Sequence, residues 1–454
     1  MLSKIFYPKS VAVIGASRSK GKIGNEILRN LIYSGYKGAI YPVNPKTESI
    51  LGMKSYPSIK DIPYSVDLAI IAIPAEIVPK VLKECVEKEV KGVIIISSGF
   101  GEVGKKELEN EIKRICKNKT RIIGPNTLGI INTANNLNAS FAPTMPLKGN
   151  IAFITQSGAL GGALIDWTIR EKIGLSKMIS VGNKCDVGDE ELLEFLGEDR
   201  ETKVIAMYIE AVKDGRKFMQ IAKKVSRKKP IVAVKAGRTE AGQRAASSHT
   251  GALAGSFEIY LAAFKQCGVI HANDTEELFD KAVALAQQPP AHGKRIAIVT
   301  NGGGAGILAA DACEELGLEV PELSSKIKEK LMKFLPEIAS PKNPIDIAGD
   351  AGYERYKKTI ETVLKCKEID ALIVIFVHTA LTEPIEPARA LTKCLKKAKK
   401  PVVGCWIGGY QVEEAIRILK EENIPNFPTP KRAVKAISAL VEYGRILHEN
   451  SDRI

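Results

Sequence analysis

Long apolar runs are missing from this chain. The run ALIVIFV at 371–377 is typical of the longest, and none approaches the roughly 20 residues of a helical membrane span. The opening segment, MLSKIFYPKSVAVIG, has no signal-peptide apolar core and leads straight into a strand pattern, so the cytoplasm is the expected location. The eight cysteines are scattered and none forms a CxxC pair. That argues against a disulfide framework and against structural zinc, and fits the reduced thiols of a cytosolic enzyme. Aromatic residues make up only 6%, too few for base-stacking platforms. The formal net charge of +14 is spread over Lys-rich stretches at 105–119, 223–229 and 393–400. Such runs read as solvated helix faces, and they favour small anionic ligands or an acidic partner over nucleic acid.

What is present is one grammar used three times. The length of 454 residues suggests about three domains. Residues 1–145 alternate strand and helix, with apolar strands at 10–15, 38–44, 68–74, 92–98 and 121–126. Short continuous apolar runs rich in β-branched residues read as buried parallel strands. The Pro-containing stretch 138–149 marks a boundary. The pattern restarts over 146–290, breaks at QQPPAHGK, and restarts again over 291–454. The expected fold is α/β, with three consecutive doubly wound domains.

Each unit opens with a strand, a Gly-containing turn and a helix. The first turn, GASRSKGKIG, is neither of two familiar phosphate loops. A Walker loop needs Ser or Thr after Lys, and Ile23 follows Lys22. A dinucleotide fingerprint needs GxGxxG and an acid closing the second strand, which here ends in Val43, Asn44 and Pro45. Both absences oppose an NAD-dependent dehydrogenase. Gly15 with Arg18, Lys20, Lys22 and Lys46 suits a phosphate-rich ligand such as coenzyme A. The second and third turns, TQSGALGG and TNGGGAG, place small residues where a helix start exposes its N–H groups to an anion. The first set is Ser157, Gly158 and Ala159; the second is Asn301, Gly302 and Gly303. Two positive helix ends of this kind could converge on one phosphate.

His249 stands among small and hydroxylated residues in SSHTGALAGS, and it is one of only five histidines. A neutral imidazole is a good nucleophile and can become a covalent phosphoryl carrier. Its second ring nitrogen then needs an acceptor. Glu210 closes the apolar strand VIAMYIE and lies where α/β sheets place their sites. Asp186, Asp189 and Asp214 compete for that role. Of the other histidines, His292 lies in a linker, and His271 and His378 follow apolar strands, where packing is their expected use.

These residues resemble a known family over almost the whole chain. VIGAS, YPVNP, AIPA, ISSGFGE and GPN are similar to the CoA-binding domain of archaeal ADP-forming acyl-CoA synthetases (acetate–CoA ligases), of the succinyl-CoA synthetase superfamily. TQSGALGG, YIEAVKDGR and SSHTGALAGS resemble its phosphohistidine domain. TNGGGAG and NPIDIAGD resemble its further ligase domain. The resemblance implies a Rossmann-like domain followed by two flavodoxin-like ones. It implies that His249 is the phosphorylated histidine, that Glu210 supports it, and that Ser157–Ala159 and Asn301–Gly303 face phosphate. It places CoA against Gly15, Ser17, Arg18, Lys22, Lys46, Ser97, Ser98 and Asn126. None of the three units resembles an ATP-grasp domain. The resemblance therefore implies a separate β subunit carrying ADP or ATP with Mg2+, in an α2β2 assembly, with acyl-CoA, phosphate and carboxylic acid as reactants. A CoA-binding scaffold without turnover is the alternative, and an intact histidine motif argues against it.

Overall fold

In the computed structural model the chain forms two compact units, residues 1–271 and 272–454. The structure describes residues 2–117, 119–250, 256–395 and 398–449, without the side chains of 246–250. The first unit begins with β1 (Ser10–Ile14) and β2 (Ala39–Val43). A two-strand ribbon, β3 (Ser49–Ile50) and β4 (Met53–Lys54), precedes β5 (Leu68–Ile71), β6 (Gly92–Ile95) and β7 (Arg121–Ile123). The first sheet runs β2-β1-β5-β6-β7, and all its pairs are parallel. β1, β5 and β6 are buried along their whole length, which is why their sequences are uninterrupted by polar residues. Strand order reverses between β1 and β5, so the crevice of this sheet opens at their C-terminal ends.

Two glycines make that crevice tight. Gly15 has φ +88, and a Cβ there would lie 2.2 Å from the Ala72 carbonyl oxygen. A Cβ on Gly24 would lie 2.0 Å from the Gly15 carbonyl oxygen. The helix Ile23–Tyr33 can therefore seat its first turn directly on the β1 turn only because Gly24 has no side chain.

The second sheet runs β14-β13-β12-β10-β11-β8-β9. Its strands are β8 (Gly129–Asn132), β9 (Leu137–Ser140), β10 (Lys148–Thr155), β11 (Leu175–Ser180), β12 (Val204–Ile209), β13 (Ile231–Lys235) and β14 (Val269–Ala272). β10 is parallel to β11 and β12, and β12 to β13. β8 pairs antiparallel with β11 and β9 with β8. That hairpin has no continuous apolar run, because polar residues are buried on both of its faces beside Ile130, Ile131, Leu137 and Ala139. Asn132, Asn138 and Ser140 are all buried, and Asn132 is satisfied by donating to the Phe6 carbonyl at 2.8 Å.

The two sheets share a core. One face of the first sheet (Val11, Val13, Leu68, Ile70) is continuous with Ile27, Leu28 and Leu31 and with Ile154, Ile179, Ile205 and Met207 of the second sheet. Polar clasps join them at the rim. Arg121 forks onto Asp186 at 2.8 and 3.2 Å and reaches Glu191 at 2.8 Å. The Asn183 amide donates to both Glu102 (2.6 Å) and Glu109 (2.9 Å).

The second unit holds a four-stranded parallel sheet ordered β16-β15-β17-β18. Its strands are β15 (Ile296–Thr300), β16 (Ile345–Asp346), β17 (Ala371–Val377) and β18 (Val402–Ile407). The helices Thr275–Gln287 and Pro430–His448 are tied by Arg432 to Asp280 (2.7 Å) and Lys435 to Glu277 (2.7 Å). Burial pushes the Glu277 carboxyl up, but Lys281, Lys435 and Asn273 outweigh it and bring it down to about 2. None of the eight cysteines is in a disulfide, and all but the half-buried Cys394 are buried. Burial raises the thiols of Cys116, Cys313 and Cys405 to about 12 and those of Cys267 and Cys394 to about 11. Among the described residues no helix is long and apolar enough to cross a membrane.

Candidate active site

The first-sheet crevice collects most of the residues that the sequence assigns to CoA. Gly15 makes the turn, and its N–H donates to Val43 O at 3.1 Å. Ser17 accepts from Ser19 N at 3.1 Å. Arg18 reaches across to the Ser49 carbonyl at 2.9 Å, which ties the basic turn to the β3–β4 ribbon. Lys22 is the N-cap residue of Ile23–Tyr33 and supplies no side-chain cap, so its ammonium stays exposed. Lys46 is also exposed, with its N–H bonded to Asn44 Oδ1 at 2.8 Å. Ser97 is different. Its hydroxyl donates to Ile73 O and accepts from Ile73 N, so it fastens β5 to β6 at the crevice floor. Ser98, next to it, is exposed.

The second-sheet site is built on the β10 turn. Ser157 is the N-cap of the helix Gly158–Arg170, and its hydroxyl accepts from Leu160 N at 3.3 Å. The N–H groups of Gly158 and Ala159 have no partner among the described residues, as helix geometry requires for a first turn. Gln156, which sequence reasoning passed over, holds the neighbouring strand. Its Oε1 accepts from Glu210 N and Ala211 N, both at 2.9 Å, and its Nε2 donates to Ala211 O at 2.7 Å. This fixes Glu210, 7% exposed, at the end of β12.

Glu210 lines a cavity of about 270 Å3 shared by loops of both sheets. Asn126, Gln156, Asn183, Lys184 and Lys213 also line it. Lys184 donates to Asp189 at 2.7 Å and to Ala211 O at 2.6 Å. Burial pulls the Lys213 ammonium below the usual lysine value. The three aspartates that compete with Glu210 all have structural work. Asp186 binds Arg121, Asp189 binds Lys184, and Asp214 caps the helix Gly215–Ser226 by accepting from Lys217 N at 2.9 Å. Sequence could have found Lys184 and Lys213 only by their nearness to strand ends, and nothing local marks them.

His249 lies in the helix Glu240–Thr250. Its side chain lies outside the described residues, as do Gly251 and Gly255 of the same motif.

The second unit repeats the threonine bonds of the β10 turn. Thr155 Oγ1 donates to Ser157 O (3.0 Å) and accepts from Ser157 N (3.1 Å). Thr300 Oγ1 does the same with Gly302 at 3.0 and 3.0 Å. Asn301 plays the part of Gln156, since its amide accepts from Val377 N (2.7 Å) and donates to Val377 O (2.9 Å). It is 4% exposed and pins β15 to β17, and Gly302 is the N-cap. Among the described residues the N–H groups of Gly303 and Gly304 have no partner. Thr-Gln-Ser-Gly against Thr-Asn-Gly-Gly is the sequence signal for this repeat. Among the remaining histidines, His271 packs edge-on against Phe257. His292 lies 3.3 Å from His448, and the Nδ1 of His378 is buried without a partner among the described residues.

Known proteins share this arrangement. A CoA binding domain model matches residues 9–133, a succinyl-CoA ligase-like flavodoxin domain matches 148–285, and a ligase-CoA domain matches 296–449. The α subunit of acetate–CoA ligase (ADP-forming) I of Pyrococcus furiosus is 48% identical over 453 residues, covering 98% of each chain. Acetate–CoA ligase (ADP-forming) I of Archaeoglobus fulgidus is 45% identical over 98% of this chain and 64% of its own length. In solved structures, the dinucleotide forming acetyl-coenzyme A synthetase 1 of Ca. Korarchaeum cryptofilum, in complex with phosphate and ADP, gives a TM-score of 0.95. It is 42% identical and is matched over 100% of this chain and 99% of that one. With three domain models in this order and near-complete coverage at such identity, the chain belongs to the family of ADP-forming acetate–CoA ligases.

Proposed function

We propose that this chain is the α subunit of an ADP-forming acyl-CoA synthetase. It converts acyl-CoA, phosphate and ADP to a carboxylic acid, CoA and ATP. The observation that carries the reading is Glu210, buried at the end of β12 on a cavity that loops of the CoA-type sheet also line, while every rival aspartate is committed elsewhere. The domains follow the three matched segments, and the site residues take the roles that the family resemblance gives them. CoA lies along Gly15, Ser17, Arg18, Lys22, Lys46, Ser98 and Asn126, with Ser97 shaping the floor.

Phosphate enters at the open N–H groups of Gly158 and Ala159, and attacks the thioester carbonyl. The same groups stabilise negative charge on the acyl phosphate as the C–S bond breaks and CoA leaves. His249 then takes the phosphoryl group, and the acid departs. Glu210 accepts a hydrogen bond from the second imidazole nitrogen and stabilises the cationic ring. ADP with Mg2+ is held by a separate ATP-grasp subunit, in an α2β2 assembly in the cytoplasm.

The test is phosphorylation. The chain, purified with its nucleotide-binding subunit, is mixed with acetyl-CoA and radioactive phosphate. Acid-labile, base-stable label on wild type and none on His249→Ala is expected. Glu210→Gln should lower the yield of label and leave the heat of CoA binding unchanged. An unlabelled wild type, with several acyl-CoAs tried, would leave CoA binding without turnover.

A further inference from the structure

The loop after β11 joins two parts of the site. Its backbone runs along the end of the first sheet. Asn183 N donates to Pro125 O at 2.9 Å, Cys185 N to Gly124 O at 3.0 Å and Val187 N to Ile122 O at 3.1 Å. Gly182 has φ +54, and a Cβ there would lie 2.1 Å from Pro125 O. With the Asn183 amide on Glu102 and Glu109, the loop is fixed to the CoA-side turns. Lys184, the next residue, carries the connection to β12. Its ammonium donates to Ala211 O at 2.6 Å, and that carbonyl also accepts from Gln156 Nε2. Lys213 returns the contact by donating to Lys184 O at 2.7 Å. Since Glu210 N and Ala211 N both end on Gln156 Oε1, the turn after Glu210 is gripped from β10 and from the β11 loop together.

Lys184 carries two costs at this position. Its φ is +53, a left-handed backbone that glycine or asparagine takes more readily than lysine. Its side chain is 6% exposed, so its ammonium is withdrawn from water. Asp189, 2% exposed, answers the charge at 2.7 Å with one oxygen, while its other oxygen is buried with no hydrogen-bond partner among the described residues. Glycine would relieve the backbone, and an apolar side chain would remove the buried ammonium. Neither would hold Ala211 O. Two costs kept at one residue point to the bond that the residue makes.

We infer that Lys184 is a positioning residue for Glu210: its ammonium, anchored on Asp189, holds the Ala211 carbonyl and so sets the turn that carries Glu210, in register with the CoA-side loops that Asn183 grips. The inference rests on the proposed role of Glu210. Gln156 fixes that turn to its own sheet, whereas Lys184 fixes it to the loop that also holds the first sheet. The carboxylate that supports the imidazole and the loops against which CoA lies are thereby kept at one spacing, which the attack of phosphate and the transfer to His249 both need.

The experiment is acetyl-CoA-dependent labelling of the full complex with radioactive phosphate, read as a rate constant and as a KM for acetyl-CoA. Removing Lys184 alone leaves the Asp189 charge buried and unpaired, so each lysine substitution is made together with Asp189→Asn. Asp189→Asn by itself keeps an oxygen for the ammonium and should label near the wild-type rate. Lys184→Met with Asp189→Asn should label about tenfold more slowly, with KM unchanged. Lys184→Gly with Asp189→Asn serves if the methionine chain does not fold, since glycine takes the left-handed backbone without strain. In a Glu210→Gln background the same pair of substitutions should slow labelling no further, because the turn no longer has a carboxylate to place. A folded double variant that labels at the wild-type rate overturns the inference, since the lysine and aspartate then only hold each other. A loss seen in KM alone overturns it too, as does a further loss in the Glu210→Gln background, which would mean that Lys184 acts elsewhere. Absence of label from wild type overturns the reading of the site itself, and this inference with it.

Discussion

Gln156 and Asn301 each use both ends of an amide on a neighbouring strand, and that fixes the Gly-rich loop beside it. The Gly-containing turns themselves were legible as helix starts, but a lone sequence does not show that the side chains of Gln156 and Asn301 hold the backbone of a neighbouring strand. The place of Glu210 at the end of β12 was legible, because an apolar run ends on it. Asn301→Ala should destabilise the protein by about 2–4 kcal/mol, because it strands the buried N–H and C=O of Val377. Denaturant unfolding would check this, and a loss under 1 kcal/mol would show that the two bonds are replaceable. Glu277 offers a second test. Its carboxyl is brought down to about 2 in the folded chain, so its contribution is present above the ordinary glutamate range and is lost as pH falls toward 2. The magnitude is about 2–3 kcal/mol. Glu277→Gln should flatten the fall of Tm with acid in that window.

At the scale of elements, the parallel strands were readable because burial on both faces leaves an uninterrupted apolar run. The hairpin β8–β9 was not, because Asn132, Asn138 and Ser140 are buried by hydrogen bonding rather than by hydrophobicity. The repeat between the second and third sheets was legible in part. Strand, glycine turn and helix recurred in sequence, but the matching roles of Thr155 and Thr300 appear only in the bonds. The same match extends into the helices. A Cβ on Gly161 would approach Thr155 Cγ2 to 2.8 Å, and one on Gly306 would approach Thr300 Cγ2 to 3.0 Å. Gly161→Val should therefore tilt the helix start and reduce acetyl-CoA-dependent labelling at least tenfold. Gly24→Ala acts on the other ligand. Its new methyl meets the Gly15 carbonyl, and calorimetry should show CoA binding lost. Wild-type affinity would mean that the helix shifts without disturbing the turn.

Across the whole molecule the charge of +14 sets how anions arrive. Exposed Arg18, Lys20, Lys22 and Lys46 gather on one turn and its neighbour, so kcat/KM for acyl-CoA should fall as salt rises from about 0.05 to 0.5 M, while kcat changes little. A flat dependence would place CoA recognition in contacts rather than in field. The cysteines add a practical corollary. The proposed reaction liberates a thiol, and the protein's own thiols are all buried or half-buried. A disulfide reagent such as Ellman's, added to the native complex, should therefore colour with the released CoA and scarcely with this subunit. Half-buried Cys394 is the first of its thiols expected to contribute a background. The first half-reaction can then be followed continuously by eye and spectrophotometer, with no nucleotide present.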